Sequence, residues 1–267
     1  MMHNLWNDPP RMTTTEPEEV TTRGPLRLLR AKFLRDTRGE VVFPLTLLTA
    51  IYFFDEFDTA AFSTLAPDIK ASFGLSDNTF LIVLGLNVSA IVLLAVPVGY
   101  WADRVSRIQM VVISGVLAGL FSFATGLATT FVLLVAFRFG NGLGVLANVP
   151  VHNSLISDYY TPDARPTAYA THTNAVYIAN ILGPAVAGAA GALLGWRAAF
   201  FVLFAPILIT TVLATRLQEP VRGGTDRPGQ PAPEHDPPSF TEARKTLWAI
   251  PTLRRCFWAS VPLGAGV

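Results

Sequence analysis

The chain has 267 residues, 51% hydrophobic and only 15% charged, with a mean hydropathy of +0.42. Soluble domains carry roughly a quarter charged residues, so this composition points away from a soluble globular protein. A net charge of +1 leaves no large basic surface for nucleic acid, and a lone cysteine, Cys256, excludes an intrachain disulfide.

Residues 1–42 open with "MMHNLWNDPPRMTTTEPEEV", which is polar, contains proline and lacks the apolar core of a cleavable signal peptide. It reads as a cytoplasmic tail. "RGPLRLLRAKFLRDTRGE" follows, where Arg23, Arg27, Arg30, Lys32, Arg35 and Arg38 alternate with leucines and Phe33. That pattern fits a basic amphipathic segment on an anionic leaflet, or simply a positive-inside anchor.

Next come six apolar blocks, at 43–66, 80–102, 109–128, 131–157, 168–194 and 197–215. Each is about long enough to cross a bilayer as a helix, and none alternates as a barrel strand does. An all-α membrane bundle of six helices over 43–216 is expected. With the N-terminus inside, every Lys and Arg falls on the cytoplasmic side except Lys70 and Arg197 outside and Arg138 within a span. The positive-inside rule selects that orientation.

The first block contains "FFDEFDTAAF", with Asp55, Glu56 and Asp58 in an apolar setting. At 1.5 Å per residue, Asp55 and Asp58 stand roughly 18 and 22 Å above the cytoplasmic edge. Arg138 of the fourth block falls at roughly 20 Å in a core about 30 Å thick. Asp55 and Asp58 are three apart and share a face, while Glu56 turns about 100° away. Three acids this close in a dry site cannot all stay ionised, so a proton site formed by Asp55, Glu56 and Asp58 with Arg138 is expected. The plainer reading is a static ion pair holding the first and fourth helices together.

Between the second and third blocks, "GYWADRVSRIQ" places Gly99, Asp103, Arg104 and Arg107 in a cytoplasmic loop. Glycine there permits close helix approach, and the charges can form a clasp that holds one state of a moving bundle. The fourth block carries "RFGNGLG", with Gly142 and Gly144, and "SDYYTPDAR" supplies Asp158 and Arg165 at the next cytoplasmic loop. "LGPAVAG" in the fifth block holds Gly183, Pro184 and Gly188, read as packing or bending positions.

Polar residues concentrate in some spans. Asn87 lies in the second; Asn141, Asn148, His152 and Asn153 in the fourth; His172, Asn174, Tyr177 and Asn180 in the fifth. The third and sixth carry no Asn, His, Asp or Glu in their interiors. The first, fourth and fifth helices should therefore line a cavity while the third and sixth face lipid. Asn87, Asn141, Asn148, His172, Asn174, Tyr177 and Asn180 are the cavity candidates. His152 and His172 read more plainly as hydrogen-bonded helix contacts.

After Arg216, residues 217–238 are rich in Pro and Gly and read as a flexible cytoplasmic linker. Residues 239–255 read as a surface helix, with Ser239 and Glu242 at capping-box spacing. "CFWASVPLGAGV", 256–267, is too short to cross and reads as the start of a seventh helix in a larger protein. The four histidines show no ligand spacing, no phosphate-cradling glycine loop precedes a base, and no nucleophile and base can be placed together. No metal, no cofactor and no enzymatic activity are expected.

The G-x-x-x-D-R-x-x-R loop resembles the signature of the major facilitator superfamily, with Trp101, Ser106 and Ile108 departing from it. "RFGNGLG", "SDYYTPDAR", "LGPAVAG" and "GWRAAFF" resemble that superfamily's later motifs in order. "DEFDTAAFSTLAPDI" is similar to the first-helix segment of the aromatic acid:proton symporter group, with Glu56 replacing a glycine; the spinster-like group is the second resemblance. The resemblance implies an N-terminal bundle of two inverted three-helix repeats and transport by alternating access. It further implies proton-coupled uptake of a small organic anion, with Asp55 and Asp58 in coupling. The expected partners are a small-molecule substrate, the lipid bilayer and a C-terminal six-helix half, in the plasma membrane with a cytoplasmic N-terminus. An exporter of drugs, metabolites or lipids is the rival within the class, and a non-transporting receptor or scaffold is the rival outside it.

Overall fold

The computed structural model describes residues 42–102, 104–226 and 239–255. Its helices are α1 (Val42–Thr64), α2 (Ala66–Phe73), α3 (Asp77–Ala102), α4 (Arg107–Leu127), α5 (Phe131–Leu146), α6 (Asn148–Tyr159), α7 (Arg165–Leu194), α8 (Trp196–Ala214) and α9 (Phe240–Ala249). The basic tail segment, Asp103, the later part of the expected linker and residues 256–267 lie outside the described residues, as does the side chain of Asn87.

Local signals set these boundaries. The hydroxyls of Ser106 and Thr130 accept from the amides of Gln109 and Leu133, capping α4 and α5. Gly74 closes α2 at φ 63°, and Gly195 turns α7 into α8 at φ 82°. Pro150 has no amide to offer the Leu146 carbonyl, and the fourth span is interrupted at Ala147, between α5 and α6. Ser239 and Glu242 form a full capping box at the start of α9.

Among the described residues, four helical stretches are long and apolar enough to cross a membrane: Arg107–Leu127, Phe131–Tyr159, Arg165–Leu194 and Trp196–Ala214. At 23 residues α1 has the length as well, but carries the three carboxylates. Among the described residues there is no β-strand.

Two pairings build the bundle, α1 on α7 and α4 between α5 and α8. Ala168, Ala175, Ala179, Gly183 and Ala187 form the buried face of α7. A Cβ on Gly183 would stand 2.8 Å from the Ala60 methyl, so only glycine permits this approach. At Gly144 the added Cβ would meet the Ala118 backbone nitrogen at 2.6 Å, and at Gly140 the Phe121 ring at 2.6 Å. Gly126 is equally tight against Phe201. Gly142 is buried in α5. Gly188 has only an ordinary contact at 3.9 Å and Pro184 is exposed within α7, so of these three expected positions only Gly183 is tight, and Gly191 further along is tighter still, 2.5 Å from Leu65 Cδ2. Gly99 makes no close approach among the described residues, contrary to the expectation for that loop.

The apolar interior is divided. One cluster gathers Leu48, Ile51, Val111, Val151, Leu155 and Tyr160; the other gathers Phe57, Phe62, Leu134, Ala187, Phe200 and Leu203. Along α1, Asp55 lies between Ile51 of the first cluster and Phe57 of the second, and Asp58 follows Phe57, so a polar belt lies where the two clusters meet.

Candidate functional site: a buried charged belt and a clasp

The belt is built from α1, α4, α5, α6 and α7. Asp58 accepts from Nη1 of Arg138 at 2.7 Å and from the Ser122 hydroxyl. The Arg138 guanidinium also lies 4.3 Å over the Phe62 ring. Asp58 and Arg138 are both almost fully buried. One turn along α1, buried Asp55 accepts from Nδ2 of Asn148 at 2.6 Å. The two aspartates share a face but take different partners, while Glu56 is only half-buried. Further along, Nδ1 of His152 lies 3.1 Å from Nε2 of His172, and Tyr52 stacks on His172 with centroids 4.6 Å apart.

Other candidates are placed differently. Asn141 is buried and donates to the Ala118 carbonyl at 3.0 Å, tying α5 to α4. Asn174, Tyr177 and Asn180 lie on the exposed face of α7, with Tyr177 63% exposed, because the small-residue face is the one turned to α1. The third span also departs from a purely lipid-facing role. Ile113, Leu117 and Leu120 face outward, but Ser114, Ser122 and Thr125 are buried and Ser122 reaches Asp58.

At one end of the bundle Arg107 anchors a clasp. It donates to Asp158, to the Ser154 hydroxyl at 3.0 Å, to Glu219 at 2.8 Å and to the Pro220 carbonyl at 2.8 Å. Glu219 also accepts from the Ser106 hydroxyl at 2.7 Å and the Ile108 amide at 3.1 Å. Partial burial alone would raise the Glu219 carboxyl, but the hydrogen bonds and the Arg107 charge hold it below its ordinary value. Arg165 pairs with Asp226 at 2.7 Å and donates to Thr225 at 2.8 Å, while the Gly223 amide donates to Asp158 at 3.0 Å. Residues through Asp226, expected to belong to a flexible linker, are thus strapped across the bundle end. Arg104 lies over the Tyr100 ring at 3.5 Å and donates to the Tyr100 carbonyl at 3.1 Å.

Several participants carry no mark in the sequence motifs, among them Ser122, Ser154, Glu219 and Asp226. Glu219 had a signal, being an acid placed just beyond the sixth span.

The sequence profile of the Major Facilitator Superfamily matches residues 48–267. The chain belongs to that superfamily. As a member, it is an integral membrane protein of a transporter family. It is 32% identical over 177 residues to the 4-hydroxybenzoate transporter PcaK of Pseudomonas aeruginosa, covering 64% of this chain and 39% of the relative. It is 27% identical over 180 residues to the multidrug export protein EmrB of Escherichia coli strain K12, covering 66% of this chain and 34% of that protein. The crystal structure of a bacterial homologue of the human lysosomal transporter Spinster, inward-facing and unoccupied, superposes with a TM-score of 0.65 at 26% identity. That match covers 79% of this chain and 49% of the other. The chain therefore spans half or less of the length of these three proteins.

Proposed function

We propose that this bundle is the N-terminal half of a proton-coupled carrier that takes up an aromatic or similar small carboxylate by alternating access. One observation carries the reading: Asp58 and Arg138 pair in a buried belt on helices that belong to a superfamily of transporters. Similarity to a 4-hydroxybenzoate transporter supports the substrate class.

The chemistry follows from the pair. While Asp58 is ionised, it holds the guanidinium of Arg138. A proton on Asp58 removes that claim and lets Arg138 receive a substrate carboxylate through a bidentate, charge-assisted contact. Loss of the substrate returns the guanidinium to Asp58 and expels the proton. Proton and anion then move together, because neither is stable in the belt without the other. Asp55, held by Asn148 one turn away, is the second acid of the same site.

The test is uptake into proteoliposomes holding the complete open reading frame, with a panel of aromatic and aliphatic carboxylates that includes 4-hydroxybenzoate. Accumulation should follow an imposed inward proton gradient and vanish in Asp58→Asn. Undiminished accumulation in that variant would sink the coupling role. A second reading, export, has support in the similarity to EmrB. It predicts that a hydrophobic compound moves outward instead and that no acid accumulates.

A further inference from the structure

The belt contains titratable groups that the Asp58–Arg138 pair does not use. His152 and His172 are 0% and 2% exposed, and their facing nitrogens are 3.1 Å apart. A neutral pair at that distance shares one hydrogen, donated from one ring to the other. Thr49 Oγ1, Asn148 Oδ1 and His152 Nε2 are all buried and have no hydrogen-bond partner. The three atoms sit on the facing helices α1 and α6. Thr49 lies six residues before Asp55, roughly 9 Å toward the clasp end. His152 lies one turn beyond Asn148 in the same direction, and Asn148 is the residue that grips Asp55. Buried polar atoms of this kind take ordered water when the protein offers no partner.

We propose that Thr49, Asn148 and His152 line a short water-bearing wire that carries a proton between Asp55 and the His152–His172 pair. The histidines are then the proton's station on the clasp side of the belt. This rests on the proton-coupled reading given above. The transfer balances atom by atom. The Asp55 O–H gives its proton through water to Nε2 of His152, the His152 Nδ1–H bond passes its hydrogen to Nε2 of His172, and His172 releases its Nδ1 proton toward the clasp end. Both rings are left in the opposite tautomer with the shared hydrogen bond reversed, and ring rotation or return transfer resets them. Of the other titratable groups, Tyr52 on α1 packs against both rings, and Tyr169 on α7 is engaged elsewhere, its hydroxyl donating to the Asn153 carbonyl at 3.0 Å. Tyr52 stacks on His172 and fixes the plane of the ring that must receive the hydrogen.

His172→Gln keeps a side chain that can hydrogen-bond to His152 but cannot hand on a proton. In proteoliposomes of the complete open reading frame, this variant should slow gradient-driven uptake of the transported carboxylate by at least about tenfold. Counterflow at equal pH, which exchanges substrate without net proton movement, should stay within about twofold of native. Native gradient-driven rates in His172→Gln, with accumulation lost in Asp58→Asn, would overturn the wire and leave the coupling reading intact. Native rates in both variants would overturn the coupling reading itself. If His172→Gln loses counterflow as well, Thr49→Val decides, since it exchanges a hydroxyl for a methyl of the same shape. Slowed gradient-driven uptake with normal counterflow supports the wire, and an unchanged rate overturns it.

Discussion

Replacing Arg138 with methionine tests whether the belt pair holds the bundle together. The stem volume is nearly kept and the guanidinium is lost, leaving Asp58 buried with the Ser122 hydroxyl as its remaining donor. Breaking a buried ion pair from one side costs about 3–5 kcal/mol, because the surviving charge has no compensation. For a bundle of this size, each kcal/mol moves the melting midpoint by roughly 2–4 °C, so Arg138→Met should melt roughly 10 °C below the native protein. Removing both charges in Asp58→Asn with Arg138→Met should recover much of that loss, a coupling of at least about 2 kcal/mol. Thermal unfolding in detergent, followed by circular dichroism across the four variants of the cycle, gives the number directly. Arg138→Met melting within about 2 °C of native, or a double variant no better than the single one, would refute the reasoning. The pair would then contribute to transport without being needed for the fold.

Further outcomes follow from the same geometry. Gly144→Ala should destabilise by about 1–3 kcal/mol, because its Cβ would press on the rigid Ala118 backbone at 2.6 Å, whereas Gly188→Ala should be nearly neutral, its nearest neighbour being 3.9 Å away. Melting midpoints of the two variants, measured side by side, check this. The clasp has a definite pH sign. Glu219 has a folded value below its ordinary 4.5, so its contribution is full above about pH 4.5 and is lost as pH falls through the lowered value. Thermal stability should therefore drop on acidification below about pH 4.5, and Glu219→Gln should flatten that part of the profile; an unchanged slope in the variant would show that other groups set it.

How much of this was legible depended on the physics of each residue. Asp58 and Arg138 could be placed together from sequence because helical rise is constant, and two charges at one depth have few other places to go. Ser122 could not. A hydroxyl in a helix usually satisfies itself on a carbonyl one turn back, as Thr46, Thr59, Ser63 and Thr64 do here, so nothing in the sequence marks the one that reaches across. The sequence did not show that Asn174, Tyr177 and Asn180 would lie on the exposed face of α7. The small residues Ala175, Ala179, Gly183 and Ala187, four apart, decided which face of α7 turns inward. The strap after α8 was hidden by its Pro and Gly content, which reads as linker. Arg107 and Arg165 hold it, and their reach could not be foreseen without the fold.

The division of the apolar interior bears on how a carrier of this kind can work. Two clusters, one around Ile51 and Leu155 and one around Phe62 and Phe200, each pack several helices without any charged member. The polar belt between them contains the acids, the arginine and the histidine pair. On the proposed reading, a proton arriving in the belt would change electrostatic contacts among five helices and leave both clusters' dispersion and burial terms untouched. On that reading the helices would trade partners in the belt while the two clusters stay packed. A charge placed within either cluster would lose that separation, since its protonation would have to be offset by repacking of close-fitted side chains. In α1, Asp55 and Glu56 stand between Ile51 of one cluster and Phe57 of the other, with Asp58 just beyond Phe57, so on the proposed reading a proton would be taken up where the two clusters meet.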